Sequence, residues 1–123
     1  MFIRFQRYRP AGLAAILLVV GAGIFSGCKP LPASKSPALF TPEEARGAQG
    51  YGAYCARCHN PTSTRGLKGP GLQALTKLKA MPSGAPPTDE RLTQIIRYGR
   101  GMMPATQVSD EELRDLLAYL HTL

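Results

Sequence analysis

Cys55, Cys58 and His59 crowd into YGAYCARCHN, residues 51–60, of a 123-residue chain that has three cysteines and two histidines in all. Two thiols and an imidazole at this spacing suit three chemistries: a disulfide or redox pair, half of a zinc site, or covalent attachment of haem. A Cys55–Cys58 disulfide closes a very short loop and so stabilises little. A thioredoxin-like pair belongs in a βαβ setting, and no strand alternation is visible here. Zinc wants four ligands, and beyond His59 the chain offers only His121, scattered acids and the remote Cys28. Haem attachment asks for what is present. C-x-x-C-H places two thiols about one helical turn apart, each to add to one porphyrin vinyl group, with His59 aimed at the iron.

An attached haem needs a second axial ligand, and methionine is the candidate. GRGMMPAT, residues 99–106, holds Met102 and Met103; AMPSGAPP, residues 80–87, holds Met81. Thioether is a soft, neutral ligand that raises the reduction potential of haem iron. Gly99, Gly101 and Pro104 suit an irregular loop held close to a flat ring, which favours Met103, then Met102, over Met81 as distal ligand. His121, one residue past an apolar helix face, is expected to face solvent.

These groups have to be positioned by helices. In TPEEARGAQGYGAYC, Thr41 caps, Pro42 suits the first turn, and Glu43 and Glu44 favour the positive end of the dipole. Gly47, Gly50 and Gly52 each weaken that helix by up to about 1 kcal/mol relative to Ala, which calls for a packing reason. TDERLTQIIRYG predicts a second helix from the Thr88 cap to Gly99, with Leu92, Ile95 and Ile96 inward. SDEELRDLLAYLHTL opens on a capping box of Ser109 and Glu112 and lines Leu113, Leu116, Leu117 and Leu120 on one face. A shorter helix is expected around Leu72–Lys79. Tyr98 is expected in the core. The fold class is all-α. A head this small buries little apolar area on its own, so a macrocycle would complete its core.

The start of the chain reads differently. MFIRFQRYRP carries Arg4, Arg7 and Arg9, and an uncharged run, AGLAAILLVVGAGIF, follows. Basic flank, apolar centre and small residues are the parts of an export signal. The run from Ala11 to Phe25 is shorter than the roughly 20 residues of a spanning helix. It ends in FSGC, which resembles the lipobox of bacterial lipoproteins; that resemblance implies a signal peptide over residues 1–27 and acylation of Cys28. Residues 28–40, rich in Pro and Ser, read as an extended tether, and residues 41–123 as the globular domain. The net charge is +7; without the three arginines before Cys28, 12 basic residues face 8 acidic ones, leaving +4. That excess, without a dense basic stripe or binding motif, excludes a nucleic-acid partner.

From Thr41 onward the chain resembles the class I mono-haem cytochromes c of the mitochondrial-like bacterial type. The likeness is carried by CARCH at 55–59, KGPGL at 68–72, GMMPA at 101–105 and SDEELRDLLAYL at 109–120. It implies a small cytochrome c fold of three to four helices around one covalent haem c. Cys55 and Cys58 would carry the thioethers, with His59 proximal and Met103 distal to the iron. Pro70 would offer its carbonyl to the other nitrogen of His59. Gly47 and Tyr51 would pack against the last helix at Leu116 and Tyr119. The implied activity is one-electron transfer rather than catalysis. The protein would sit on the periplasmic side of a bacterial membrane, between a quinol-oxidising complex or dehydrogenase and a terminal oxidase or reductase. A fixed haem subunit of a larger respiratory complex is the alternative; a haem enzyme or gas sensor would need an open axial site. Arg57, Arg65, Lys68, Lys77, Lys79 and Arg100 flank the haem segments and are candidates for a basic rim that steers an acidic partner.

Overall fold

A computed structural model describes residues 29–123; the segment expected to be an export signal, residues 1–27, and Cys28 lie outside the described residues. Three α-helices carry the fold: α1, Pro42–Tyr54, α2, Asp89–Tyr98, and α3, Asp110–Leu120. Two single 3-10 turns accompany them, Pro37–Leu39 before α1 and Leu75–Lys77 between α1 and α2. Among the described residues there is no strand, only one antiparallel bridge between Arg100 and Met103. The all-α expectation holds.

Each helix begins where its polar residues say it should. Thr41 and Ser109 both sit in reciprocal capping boxes, with Glu44 and Glu112 reaching back to the cap amides, and Thr88 accepts from the Arg91 amide. Such caps satisfy amides that the first turn otherwise leaves unpaired. α2 stops at Gly99, whose φ of 74° is strained for any residue with a β-carbon.

The helix expected near Leu72–Lys79 is reduced to the turn at Leu75–Lys77. The chain enters that turn through Ala74, fully buried with a φ of 56°, and left-handed backbone there interrupts any α-helix. Tyr98, expected in the core, is 71% exposed. At 100° per residue it falls roughly 140° around α2 from the midpoint of Leu92 and Ile96, which are buried.

The core sits where α1 crosses α3. Tyr51, Leu113, Leu116, Tyr119, Leu120 and Leu123 meet there, joined by Leu92 and Ile96 of α2 and by Leu75 and Met81 from the intervening loop. The crossing is close because position 47 has no side chain: a β-carbon there would lie 2.6 Å from the Asp115 carbonyl carbon and 2.8 Å from the Tyr119 β-carbon. Tyr51 then stacks at a tilt on Tyr119, ring centroids 5.2 Å apart. Gly47 and Tyr51 therefore meet Asp115 and Tyr119, while Gly50 faces Leu116. Beside the crossing, Arg46 binds the buried Asp115 carboxylate with two hydrogen bonds, 2.6 and 2.9 Å. The Arg46 guanidinium holds the Asp115 carboxyl below its ordinary range.

Half of the expected tether is not free. The Lys35 amide donates to the Thr122 carbonyl at 2.7 Å, and its ammonium grips both oxygens of Glu44. Phe40 sets its ring edge-on to Tyr119, 5.8 Å between centroids. Residues 31–40 thus belong to the same compact unit as the head, Leu31–Leu123. Among the described residues no helix is long and apolar enough to cross a membrane.

Candidate haem site

The Cys-x-x-Cys-His segment begins where α1 ends. Cys55 caps the helix with its amide on the Tyr51 carbonyl, and the Cys58 and His59 amides both donate to the Cys55 carbonyl at 3.0 Å. One further helical turn is thereby formed, and it sets the spacing of the two thiols. Both cysteines are unpaired and half-buried. Burial, and then the neighbouring Cys58, pushes the Cys55 thiol up to about 11. No cluster of three His, Cys, Asp or Glu side chains fit for a metal occurs among the described residues.

The loop at 66–72 is stitched onto this turn by three consecutive hydrogen bonds. The Gly69 amide donates to the Cys58 carbonyl at 2.8 Å, the His59 Nδ1–H to the Pro70 carbonyl at 2.8 Å, and the Leu72 amide to the Asn60 carbonyl at 2.8 Å. A carbonyl only accepts, so Nδ1 carries the proton and Nε2 keeps its lone pair free for a metal. The ring is held from a second side by backbone. A β-carbon on Gly69 would lie 2.9 Å from both His59 nitrogens and nearer still to Cε1. From behind, the Tyr51 hydroxyl donates to the His59 carbonyl at 2.8 Å.

The methionine loop is equally constrained. Arg100 and Met103 exchange two backbone hydrogen bonds, 2.9 and 3.0 Å, and the Thr106 amide ties the loop back to the Ile96 carbonyl of α2 at 2.8 Å. Gly99 allows this fold-back, because a β-carbon there would lie 2.8 Å from the Ala105 nitrogen. The three methionines now differ. Met102 is 95% exposed and Met81 is 9% exposed within the apolar core, while Met103 is half-buried between them.

These residues fit a haem. Two unpaired thiols stand one turn apart, an imidazole has its lone pair free and its ring fixed, and a thioether is held by a rigid loop. His121 is half-exposed and pairs with Asp89 at 2.8 Å, joining the end of α3 to the start of α2. It takes no part in the site. Of the six basic candidates all are exposed, but the Lys77 ammonium donates to the Leu123 carbonyl at 2.7 Å and so fastens the fold.

Two site residues escaped the sequence. Tyr51 had a packing role only, yet its hydroxyl fixes the backbone of His59. Gly69 was one glycine among several, yet its backbone covers the imidazole. The run GPG at 69–71 was the available signal, since consecutive glycines about a proline mark a close backbone approach.

Two comparisons bear on this arrangement. Residues 42–120 match the model of a family described as cytochrome c oxidase, cbb3-type, subunit III. The chain is also 33% identical over 117 residues to cytochrome c6 of Picosynechococcus sp. (strain ATCC 27264 / PCC 7002 / PR-6), covering 88% of this chain and 90% of that relative. With the matched segment running from the first helical residue to the last, the chain belongs to the cbb3-type subunit III family of c-type cytochromes: an electron-transfer protein with covalently bound haem c.

Proposed function

We propose that Cys55 and Cys58 hold the haem through thioethers, that His59 Nε2 and the Met103 sulfur are its axial ligands, and that the protein is a lipid-anchored one-electron carrier. Held by these residues, haem would supply an iron centre that changes by one electron. The chain's own residues do the rest. The Pro70 carbonyl draws on the Nδ1 proton and makes Nε2 a stronger donor. Gly69 and Tyr51 fix ring and backbone, so a change of charge at the metal meets little rearrangement. The bridge at Arg100 and Met103 does the same for the thioether.

The observation that carries this proposal is the orientation of His59, its Nδ1 spent on Pro70 beside two unpaired cysteines. In the wider proposal, residues 1–27 are an export signal, Cys28 is acylated, and residues 41–123 carry the cofactor on the periplasmic side of a bacterial membrane. The protein accepts electrons from a quinol-oxidising complex or dehydrogenase and passes them to a terminal oxidase or reductase. The family description, which names an oxidase subunit, favours a second reading, a fixed haem subunit of a respiratory complex. Purification from native membranes separates the two: a carrier comes away alone, whereas a subunit brings oxidase polypeptides with it.

The site itself is tested by spectroscopy. The oxidised protein is expected to show the weak far-red band of iron–thioether ligation. Met103→Ala removes that band and Met102→Ala keeps it. A band that survives Met103→Ala refutes the ligand assignment, and native protein without added tetrapyrrole mass refutes the site.

A further inference from the structure

We infer that the surface around the docked strap, residues 31–40, is the side of the head that faces the lipid bilayer; the inference rests on the proposed acylation of Cys28. By composition this segment is a free leash. In the structure it is fastened at Lys35 by the Thr122 carbonyl and the Glu44 carboxylate, and at Phe40 by Tyr119. The docking is close enough to shut the Ser34 hydroxyl away from solvent with no hydrogen-bond partner.

Docking changes what the head can reach. From Cys28 to Lys35 the chain takes seven steps, about 22 Å at 3.1 Å per residue for a proline-rich segment. Were the strap free as far as Thr41, the leash would extend to about 40 Å on the same rise. A unit the size of Leu31–Leu123 has a radius of gyration near 12 Å, which corresponds to a sphere roughly 32 Å across. To press its far side on the bilayer, the head must lift the strap by its own diameter. A leash of about 40 Å permits that and one of about 22 Å forbids it. Fastening Lys35 therefore turns a freely rolling head into an oriented one.

The chemistry of the strap suits an interface. Leu39 is 68% exposed and Leu31 39% exposed, and each presents an apolar side chain on this side of the head. The Lys77 ammonium lies at the Leu123 carbonyl, next to the residue that holds the strap. Glu44 is already engaged by Lys35. Exposed apolar side chains beside a lipid tether favour the headgroup boundary of a bilayer. Cys55 lies eleven residues along α1 from Glu44, about 16 Å at the helical rise, so the attachment turn lies a helix length from the Lys35–Glu44 fastening.

The test uses the full-length, acylated, haem-loaded protein. With Cys28 acylated and Cys55 and Cys58 bound to haem, a cysteine introduced by Leu39→Cys, or by Glu111→Cys in the first turn of α3 at the end opposite Thr122, is the single free thiol. It is labelled with a nitroxide, the haem is kept reduced, and the protein is placed in phosphatidylcholine–phosphatidylglycerol liposomes with nickel chelated at the lipid headgroups. Nickel-induced relaxation is expected to be several-fold stronger at position 39 than at position 111. Adding Lys35→Glu, or the milder Lys35→Gln, should bring the two positions together while the visible spectrum stays unchanged. Equal relaxation in the parent, or a contrast that survives both Lys35 variants, overturns the inference and leaves the Cys28 anchor standing. Protein that fails to float with the liposomes overturns the anchor and the inference with it. The Lys35 amide gives a check that needs no membrane: rapid hydrogen exchange there means that the strap is undocked and the inference wrong.

Discussion

Gly47 and Gly52 lie five residues apart on α1, and replacing each by alanine should change stability in opposite directions. Helix propensity treats them alike, favouring alanine by about 0.8–1.0 kcal/mol at an interior position. The surroundings do not. A β-carbon at 52 meets nothing within 4 Å, so Gly52→Ala should stabilise by most of that propensity gain. At 47 the added carbon would lie 2.6 Å from the Asp115 carbonyl carbon, nearer still to its oxygen, and 2.8 Å from the Tyr119 β-carbon. Ordinary contacts between such atoms need about 3.5 Å, so α1 and α3 would have to part by more than about 1 Å. Parting them loosens the Tyr51–Tyr119 stack and the Arg46–Asp115 pair together. Overpacking of this kind costs typically 1–3 kcal/mol and sometimes more, and backbone on the facing side leaves little room to relax. After the propensity gain, Gly47→Ala should still destabilise by about 1–2 kcal/mol. For a domain of this size each 1 kcal/mol shifts the midpoint by about 4–8 °C, so Gly47→Ala should melt roughly 4–16 °C lower and Gly52→Ala a few degrees higher. Far-ultraviolet circular dichroism of the haem-loaded protein, heated or titrated with guanidinium, reads both. Shifts of the same sign would show that helix propensity outweighs the close crossing and would refute the argument.

Gly69→Ala pushes the His59 ring off Pro70, so reduced protein should bind carbon monoxide more readily and its reduction potential should move; an unaltered spectrum and potential would mean that the ring does not rest on that backbone. Tyr51→Phe deletes the donor to the His59 carbonyl and should cost about 1 kcal/mol, with exchange of the Cys58–Asn60 amides accelerated; a neutral change would assign Tyr51 to packing alone. Acid should destabilise the fold, because Glu44 bonded to Lys35, Glu112 at the Ser109 amide and Asp115 bonded to Arg46 are all held below their ordinary values. A depressed folded value adds stability that is complete above the unfolded value, about 3.9–4.3, and is lost as pH falls through the folded one. Denaturation midpoints should therefore level off above about pH 5 and decline below about pH 4, less steeply in Asp115→Asn. At the alkaline end, burial keeps the Tyr51 and Tyr119 phenols neutral beyond their usual range, so stability should begin to fall above about pH 10.

Local chemistry was legible in the chain itself. Thr41, Thr88 and Ser109 announced their helices because a cap is settled by a side chain and an amide two or three residues away. The order Cys-x-x-Cys-His announced the cofactor because attachment needs two thiols one turn apart. The family likeness added the Pro70 carbonyl, and the structure has it on His59 Nδ1. What failed was whatever depended on a partner distant in sequence. Periodicity gave no warning that Ala74 would turn left-handed and halt a helix, although it does place Tyr98 away from the Leu92 and Ile96 face. Lys35 looked like part of a tether, since nothing in KPLPASKSPALF mentions Thr122. Helix propensity alone makes Gly47 a flaw in α1; the family likeness set it against the last helix, and the approach of α3 is what makes it necessary. Burial, close approach and pairing across 69 residues, as between Arg46 and Asp115, come into being when segments meet. The sequence by itself decided which groups carry the chemistry. Tertiary structure decided which of them is held still, because rigidity at a site comes from neighbours that the chain delivers only on folding.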